Sequence, residues 1–174
     1  KFVVGCIANF WPIKDHISLI KAIELLVLEG ITNIQLRLIG TGEKLEFCKD
    51  YVQNQNLSAF LFFEKERSHT LINTFYNELD LFVLPSYYEA SACVLMEAWA
   101  TDTPILSIKN QGIAELIPEF EIDNLLADEK SPESLKDKIL GEYNRKRSLP
   151  FDEKYAIKNT IKEFMNYSFF KSDD

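Results

Sequence analysis

Short apolar runs alternate with segments of helical periodicity along almost the whole chain, and this alternation restricts the fold more than any other feature. Strands are predicted at residues 2–8, 33–39, 59–63, 81–84, 104–108 and 125–127. Helices are predicted at residues 16–29, 44–55, 68–79, 92–100, 112–117, 132–144 and 154–167. This order predicts an α/β, Rossmann-like, three-layer domain, in which helices cover both faces of a parallel sheet of about six strands. The connections should be right-handed crossovers.

The length of 174 residues is enough for one domain with its own hydrophobic core. We expect that domain to occupy residues 1–168, followed by a disordered tail at 169–174. The sequence does not begin with Met, and a core strand is predicted from its first residues. We therefore expect a piece of a longer protein.

Charge and composition exclude several classes of function. The net charge of −8 argues against a nucleic-acid partner, because polyanion binders are normally basic. No apolar stretch approaches the ~20 residues that span a bilayer, and no signal peptide is visible, so a cytoplasmic location is expected. The three cysteines, Cys6, Cys48 and Cys93, are scattered as in a reduced protein. Neither histidine stands near a cysteine or a carboxylate pair at metal-ligand spacing, so no metal site is predicted.

Two carboxylates, Glu89 and Glu97, flank the start of the helix that follows the fourth predicted strand. Glu89 falls on the turn that leaves the strand, where open α/β sheets bind ligands. The small residues Ala90, Ser91 and Ala92 between them would let a diphosphate approach the N–H groups of the helix start. The alternative is a pair of solvated carboxylates favoured by the helix dipole, with Ser91 as an N-cap.

Lys14 follows the first strand and precedes a helix, at the same edge of the predicted sheet. A lysine there can neutralise a phosphate as a point charge, although an ordinary surface lysine is the alternative. Asp15 is predicted to cap the next helix. The segment 40–42, Gly-Thr-Gly, lacks the full dinucleotide fingerprint and is interpreted as a tight turn. The basic group at 145–147 could contact an anionic membrane surface, but a solvated helix end is the favoured interpretation.

The order of these features resembles a known family. Lys14, the glycine turn at 40–42, the segment Asp80-Leu-Phe-Val-Leu-Pro-Ser86 and the Glu89/Glu97 pair occur in the same register as in retaining glycosyltransferases of the GT-B fold. The chain closely resembles their C-terminal, donor-binding domain in the "glycosyltransferases group 1", or GT4-like, family. The resemblance extends from about residue 2 to 167, and the spacing of the two glutamates is its most specific part.

The resemblance implies a role for each matched residue. Lys14 would contact the diphosphate of a nucleotide sugar, and Asn9 occupies the position of an arginine that also grips it. Glu89 would be the catalytic residue that faces the transferred sugar, and Glu97 would hydrogen-bond the ribose. Backbone N–H groups would hold the phosphates and sugar hydroxyls at Ser91, Ala92, Cys93 and Val94. The resemblance also implies that this domain depends on no bound metal and no cofactor, because the lysine and the helix N-terminus stabilise the charge of the leaving nucleoside diphosphate.

The chain departs from the family pattern at several positions. Asn9 replaces the arginine, and Ala90 and Ala92 replace glycines of the donor loop. Glu64 stands where a glycine usually follows the third strand, and a carboxylate there is a poor neighbour for a diphosphate. Asp102 also replaces a glycine, but aspartate tolerates a left-handed turn.

Two hypotheses of different class follow. The first is the donor domain of a retaining sugar transferase in bacterial surface polysaccharide or glycolipid synthesis, acting at the cytoplasmic side of the membrane. Its acceptor-binding N-terminal domain is absent from this chain, so we expect no sugar transfer by the chain alone. The second is a degenerate, non-catalytic Rossmann-like module that binds nucleotides or proteins. A nucleotide-sugar epimerase of the same architecture should carry further catalytic acids and histidines, which the sequence lacks.

Overall fold

The computed structural model describes residues 1–65, 69–89, 93–109 and 125–145. Its strands are β1 (Phe2–Ile7), β2 (Ile34–Ile39), β3 (Leu61–Glu64), β4 (Leu81–Leu84), β5 (Ile105–Ile108) and β6 (Leu126–Ala127). Its helices are a 3-10 turn (Pro12–Lys14), α1 (His16–Leu28), α2 (Leu45–Asn54), α3 (His69–Asn77), α4 (Cys93–Ala100) and α5 (Pro132–Arg145). The elements predicted in these ranges are confirmed to within about two residues at each end, as boundary fraying allows. The predicted helices at 112–117 and 154–167 and the tail at 169–174 lie outside the described residues.

The strands form one parallel, six-stranded sheet in the order β3-β2-β1-β4-β5-β6. Successive residues of β1 point to opposite faces, as the pleat requires. Val4 and Cys6 enter the core formed with α1, α2 and α5, whereas Val3 and Ile7 pack against the core formed with α3 and α4. Helices therefore cover both faces, and the predicted three-layer α/β architecture is confirmed.

The strand order reverses direction at β1, whose neighbours are β2 on one side and β4 on the other. The connections leave in opposite directions at this point, so a crevice opens beyond the carboxyl ends of β1 and β4. The loops after these strands meet there, since the Tyr87 N–H donates a hydrogen bond to the Ile13 carbonyl at 3.2 Å. Both loops carry residues that the sequence singled out.

The backbone of the turn after β2 lies in very close contact with the backbone of the loop after β1. Gly40 and Gly42 have φ of 150° and 146°. A Cβ built on Gly40 would lie 2.0 Å from the Ala8 carbonyl oxygen, and one on Gly42 would lie 2.8 Å from the Phe10 carbonyl oxygen. Segment 40–42 is therefore the tight turn that was predicted, and its glycines are required by contact as well as by φ.

We expect Gly40→Ala to lower the free energy of unfolding by roughly 3 kcal/mol, because the new methyl group must displace backbone as well as adopt a strained φ. Gly30→Ala is the matched control. Gly30 also has positive φ, at 90°, but its added Cβ would meet nothing within 4 Å, so only the conformational penalty of roughly 1 kcal/mol applies. Urea unfolding measures both variants. Equal losses would show that the close approach at Gly40 is unimportant.

Candidate functional site

Lys14 and Glu89 lie in contact at the crevice between β1 and β4. Lys14 ends the 3-10 turn after β1, and Glu89 lies on the loop after β4. The Lys14 Nζ is 2.5 Å from the Glu89 Oε1, and the two side chains are 21% and 11% exposed. An ion pair this shielded is screened less than a surface pair. The structure thus brings together two residues that the sequence placed at separate strand exits.

The backbone of the β1 loop is fixed before Lys14 is reached. The Phe10 N–H donates to the Thr41 carbonyl at 2.8 Å, and the Phe10 carbonyl accepts from the Lys44 N–H at 2.9 Å. The Phe10 ring is fully buried. The Lys14 N–H then closes the 3-10 turn on the Trp11 carbonyl at 2.9 Å. Because this loop is tied to the segment after β2 and to itself, Lys14 is presented from a well-defined position.

Cys6 lies in β1 beneath the ion pair and is fully buried. Burial raises the pKa of its thiol to about 12, the charge of Lys14 opposes that rise, and the charge of Glu89 adds to it. The thiol is therefore neutral at physiological pH and is no nucleophile. Cys6 is therefore a packing residue of the core.

Glu97 projects from α4 and accepts a hydrogen bond from a buried tyrosine. The Tyr76 hydroxyl lies 2.9 Å from the Glu97 Oε2, and the Tyr76 ring is fully buried. Burial, and then the neighbouring Glu97 carboxylate, raise the pKa of the Tyr76 phenol, so it stays protonated and remains a donor. The Tyr76 carbonyl accepts from the Thr103 Oγ1 at 3.0 Å. These contacts hold the Glu97 carboxylate in one orientation.

Sequence reasoning did not predict the hydrogen bond between Tyr76 and Glu97. The signal was available, because a buried tyrosine hydroxyl usually needs a partner, whereas phenylalanine at that position would not.

The remaining predicted site residues are placed in part. Asn9 is exposed in the loop after β1. Cys93 is exposed and Val94 is half-buried, both in the first turn of α4. Ser91 and Ala92 lie outside the described residues, so the predicted N–H cradle is only partly described.

Glu64 is compensated by an arginine that sequence reasoning missed. The Arg37 Nη2 lies 3.1 Å from the Glu64 Oε2, and its Nη1 lies 2.7 Å from the Glu78 Oε2. The guanidinium also stacks over the Phe75 ring, 4.9 Å from the ring centroid. The Arg37 Nε also donates to the Glu64 Oε1, so the Glu64 carboxylate makes a bidentate pair and is not the isolated charge that its position after β3 suggested. An arginine inside the apolar pattern of β2 was the available signal.

Asp102 and Asp15 adopt the backbone conformations their positions need. Asp102 has φ of 59°, so it takes the left-handed turn that was expected of it. Asp15 occupies the predicted N-cap position of α1 with φ of 44°, and its carbonyl accepts the Ser18 N–H at 3.1 Å.

Among the described residues no group of three or more histidine, cysteine, aspartate or glutamate side chains is arranged to hold a metal ion. None of the helices in the described ranges is long and apolar enough to cross a membrane. Arg145 is exposed at the end of α5, 3.9 Å from Glu142, and the rest of the basic group at 146–147 lies outside the described residues.

In the part of the chain that the structure describes, the crevice brings the Lys14 ammonium to the Glu89 carboxylate, and Tyr76 holds a second carboxylate, Glu97, on the helix that follows β4. A lysine suits an anionic oxygen, and carboxylates accept hydrogen bonds from hydroxyl groups. This set suits a ligand that carries both phosphate and hydroxyl groups.

Comparisons with known proteins agree with this chemistry. The sequence model of the family described as "Glycosyl transferases group 1" matches residues 1–149. The chain is 35% identical over 108 residues to the putative glycosyltransferase EpsF of Bacillus subtilis, covering 61% of this chain and 27% of EpsF. It is 31% identical over 121 residues to the protein CapJ of Staphylococcus aureus, covering 67% of this chain and 30% of CapJ. The chain thus spans less than a third of the length of either relative.

Solved structures share the fold. The C-terminal domain of a group 1 glycosyl transferase, LpcC of Francisella tularensis, matches with a TM-score of 0.72 at 21% identity, covering 83% of this chain and 76% of that one. Anabaena HepE, solved with UDP and glucose, matches with a TM-score of 0.74 at 20% identity, covering 83% of this chain and 39% of HepE. These likenesses confirm the predicted Rossmann-like half of a GT-B architecture.

Proposed function

The chain belongs to the glycosyl transferases group 1 family, and from this we propose that it is the domain that binds the nucleotide-sugar donor of a sugar transferase. The observation that carries the proposal is the contact of Lys14 with Glu89 at the β1/β4 crevice. It puts a phosphate-binding cation and a carboxylate acceptor side by side where such folds bind ligands.

Each residue has a proposed task in that site. Lys14 binds the diphosphate and stabilises the charge that grows on it as the sugar departs. Glu89 faces the transferred sugar, and Glu97 accepts a hydrogen bond from the ribose while Tyr76 holds its other oxygen. Asn9 and the N–H groups at 91–94 complete the cradle for phosphates and sugar hydroxyls. Bound UDP with a sugar in related folds, such as HepE with glucose, supports this assignment.

The wider reaction is also part of the proposal. A second domain supplies the acceptor site, and a hexose passes with retention from the donor to a glycan or lipid-linked acceptor in the cleft between the domains. The chain by itself then transfers no sugar. Similarity to a capsular polysaccharide biosynthesis glycosyltransferase of Staphylococcus aureus, CapM, at 25% identity supports a role in bacterial surface polysaccharide synthesis at the cytoplasmic side of the membrane.

Isothermal titration of the chain with UDP, GDP and ADP tests the proposal. At least one of them should bind with a dissociation constant below millimolar. Glu97→Ala should weaken that binding about tenfold, since a hydrogen bond between ribose and a charged acceptor is lost.

Glu133→Ala is the control, because Glu133 is an exposed carboxylate in the first turn of α5 and is not one of the proposed donor-binding residues. It should bind as the unaltered chain does. If no nucleotide binds below millimolar, or if both variants behave alike, the donor-domain proposal fails. The degenerate module, which the replacement of the family arginine by Asn9 favours, would then take its place.

A further inference from the structure

A cavity of about 190 Å³ opens beside the β1 loop, where that loop meets the starts of α1 and α2. Its lining includes Trp11, Pro12, Asp15, His16, Lys44 and Phe47. Neither Lys14 nor Glu89 lines it. The cavity is therefore separate from the proposed donor site.

Two buried polar side chains in this lining have unsatisfied atoms. His16 is 3% exposed and Asp15 is 8% exposed. Among the described residues, the His16 Nδ1 and Nε2 and the Asp15 Oδ2 have no hydrogen-bond partner of good geometry. Each such atom costs about 1–3 kcal/mol when it stays unpaired, so a ligand that satisfies them gains binding energy.

His16 is a neutral imidazole at physiological pH. Burial lowers its pKa to about 4, a hydrogen-bonding interaction with the Ala8 backbone opposes this, and the charge of Lys14 adds to it. A neutral ring has one nitrogen that donates and one that accepts. A hydroxyl group both donates and accepts, so it can pair with the ring nitrogen that is turned away from the Ala8 backbone, and the Asp15 carboxyl can accept from a second hydroxyl.

The mouth of the cavity is aromatic and has no net charge. Trp11 is 53% exposed and Phe47 is 55% exposed, which is unusual for side chains this large. Lys44 and Asp15 contribute opposite charges, so neither an anion nor a cation is favoured over a neutral ligand. A flat apolar surface beside hydroxyl-binding groups suits a ring with an apolar face and polar edges.

We propose that this cavity binds one pyranose ring of a neutral glycan, with the apolar face of the sugar on Trp11 and its hydroxyls toward His16 and Asp15. The site is distinct from the donor site and does not depend on nucleotide binding. It would hold a chain of sugars close to the β1 loop.

Nuclear magnetic resonance tests this on the full chain. The chain has two tryptophans, Trp11 and the buried Trp99, so each reports through its own indole N–H signal. Methyl α-glycosides of glucose, galactose, mannose and N-acetylglucosamine are titrated, with sorbitol as a polyol that lacks a ring face. We expect a saturable shift of the Trp11 signal with at least one glycoside, no shift with sorbitol, and an unmoved Trp99 signal.

Variants separate the cavity from the rest of the surface. Asp15→Asn keeps the left-handed turn and the size of the side chain, and Trp11→Ala removes the aromatic face. Followed through the backbone signals of residues 44–48, Trp11→Ala should weaken glycoside binding about tenfold, whereas Phe62→Ala, which removes another exposed aromatic, should not change it.

Three results would overturn the proposal. The first is the absence of a saturable shift with every glycoside, and the second is equal binding by Trp11→Ala and the unaltered chain. The third is loss of glycoside binding when UDP is saturating, because that would place the sugar in the donor site. Failure of UDP, GDP and ADP alike to bind would refute the donor-domain proposal and leave the glycoside titration interpretable.

Discussion

Replacing Glu89 by glutamine is expected to tighten nucleoside diphosphate binding while it abolishes most sugar transfer. In the structure the Lys14 Nζ is held 2.5 Å from the Glu89 Oε1, so an incoming diphosphate must compete with a carboxylate for the lysine. Glutamine removes the negative charge and releases Lys14. A change of about 1 kcal/mol in the local electrostatic energy corresponds to roughly fivefold tighter binding of UDP or its counterpart.

The rate of sugar transfer should fall in the same variant. Once the carboxylate that we propose to face the sugar is lost, turnover measured with the acceptor-binding half present should fall at least about a hundredfold, the usual effect of removing a charged group from a reaction centre. Binding is measured by titration calorimetry and turnover by release of nucleoside diphosphate. The two opposite changes distinguish a catalytic carboxylate from one that only supports the fold.

Glu46→Gln is the matched control for this variant. Glu46 also pairs with a lysine, Lys49, at 2.7 Å, but both side chains are on the solvent face of α2. Neither binding nor turnover should change. Weaker nucleotide binding by Glu89→Gln would contradict the competition between carboxylate and diphosphate, and unchanged turnover would remove Glu89 from the reaction.

Replacing Lys14 by methionine should weaken nucleoside diphosphate binding about thirtyfold or more. Methionine keeps most of the apolar stem and removes the charge. The diphosphate then loses its cation and also meets the Glu89 carboxylate without its partner, and truncation of one member of a shielded charge pair typically costs about 2–5 kcal/mol in binding. Calorimetric titration with the nucleotide that binds the unaltered chain best measures the loss.

Lys49→Met is the matched control, because Lys49 also pairs with a glutamate but is exposed. It should leave nucleotide binding unchanged. The double variant Lys14→Met with Glu89→Gln adds a sharper test. It should recover part of the lost affinity, because the unpaired carboxylate is gone. A double variant that binds no better than Lys14→Met would show that the two side chains do not act on the same ligand.

Much of this site follows from local sequence rules. Lys14 and Glu89 each follow an apolar run that forms a strand, and the carboxyl ends of parallel strands share one edge of the sheet. The sequence therefore predicted which edge of the sheet carries the site and which residue types lie there. It could not give the contact between them, because that contact requires β1 and β4 to be neighbours although two strands lie between them in sequence.

The interactions that prediction missed have the same origin. Arg37 and Glu64 are joined across β2 and β3, and Tyr76 reaches Glu97 from α3 to α4. Sequence periodicity reports which face of an element is buried but not which atoms meet across the interface between two elements. A buried hydroxyl or guanidinium signals that a partner exists, and only packing identifies it.

The sequence by itself determined the order and type of the elements, their bounds to within a few residues, and the family to which the chain belongs, because hydrophobic periodicity and motif spacing are properties of short segments. Only the tertiary structure decided the strand order, the ion pair of Lys14 with Glu89, the hydrogen bond from Tyr76 to Glu97 and the aromatic cavity beside the β1 loop. These depend on distances between segments far apart in the chain. Such distances are set when both faces of the sheet are buried together, which no local pattern records.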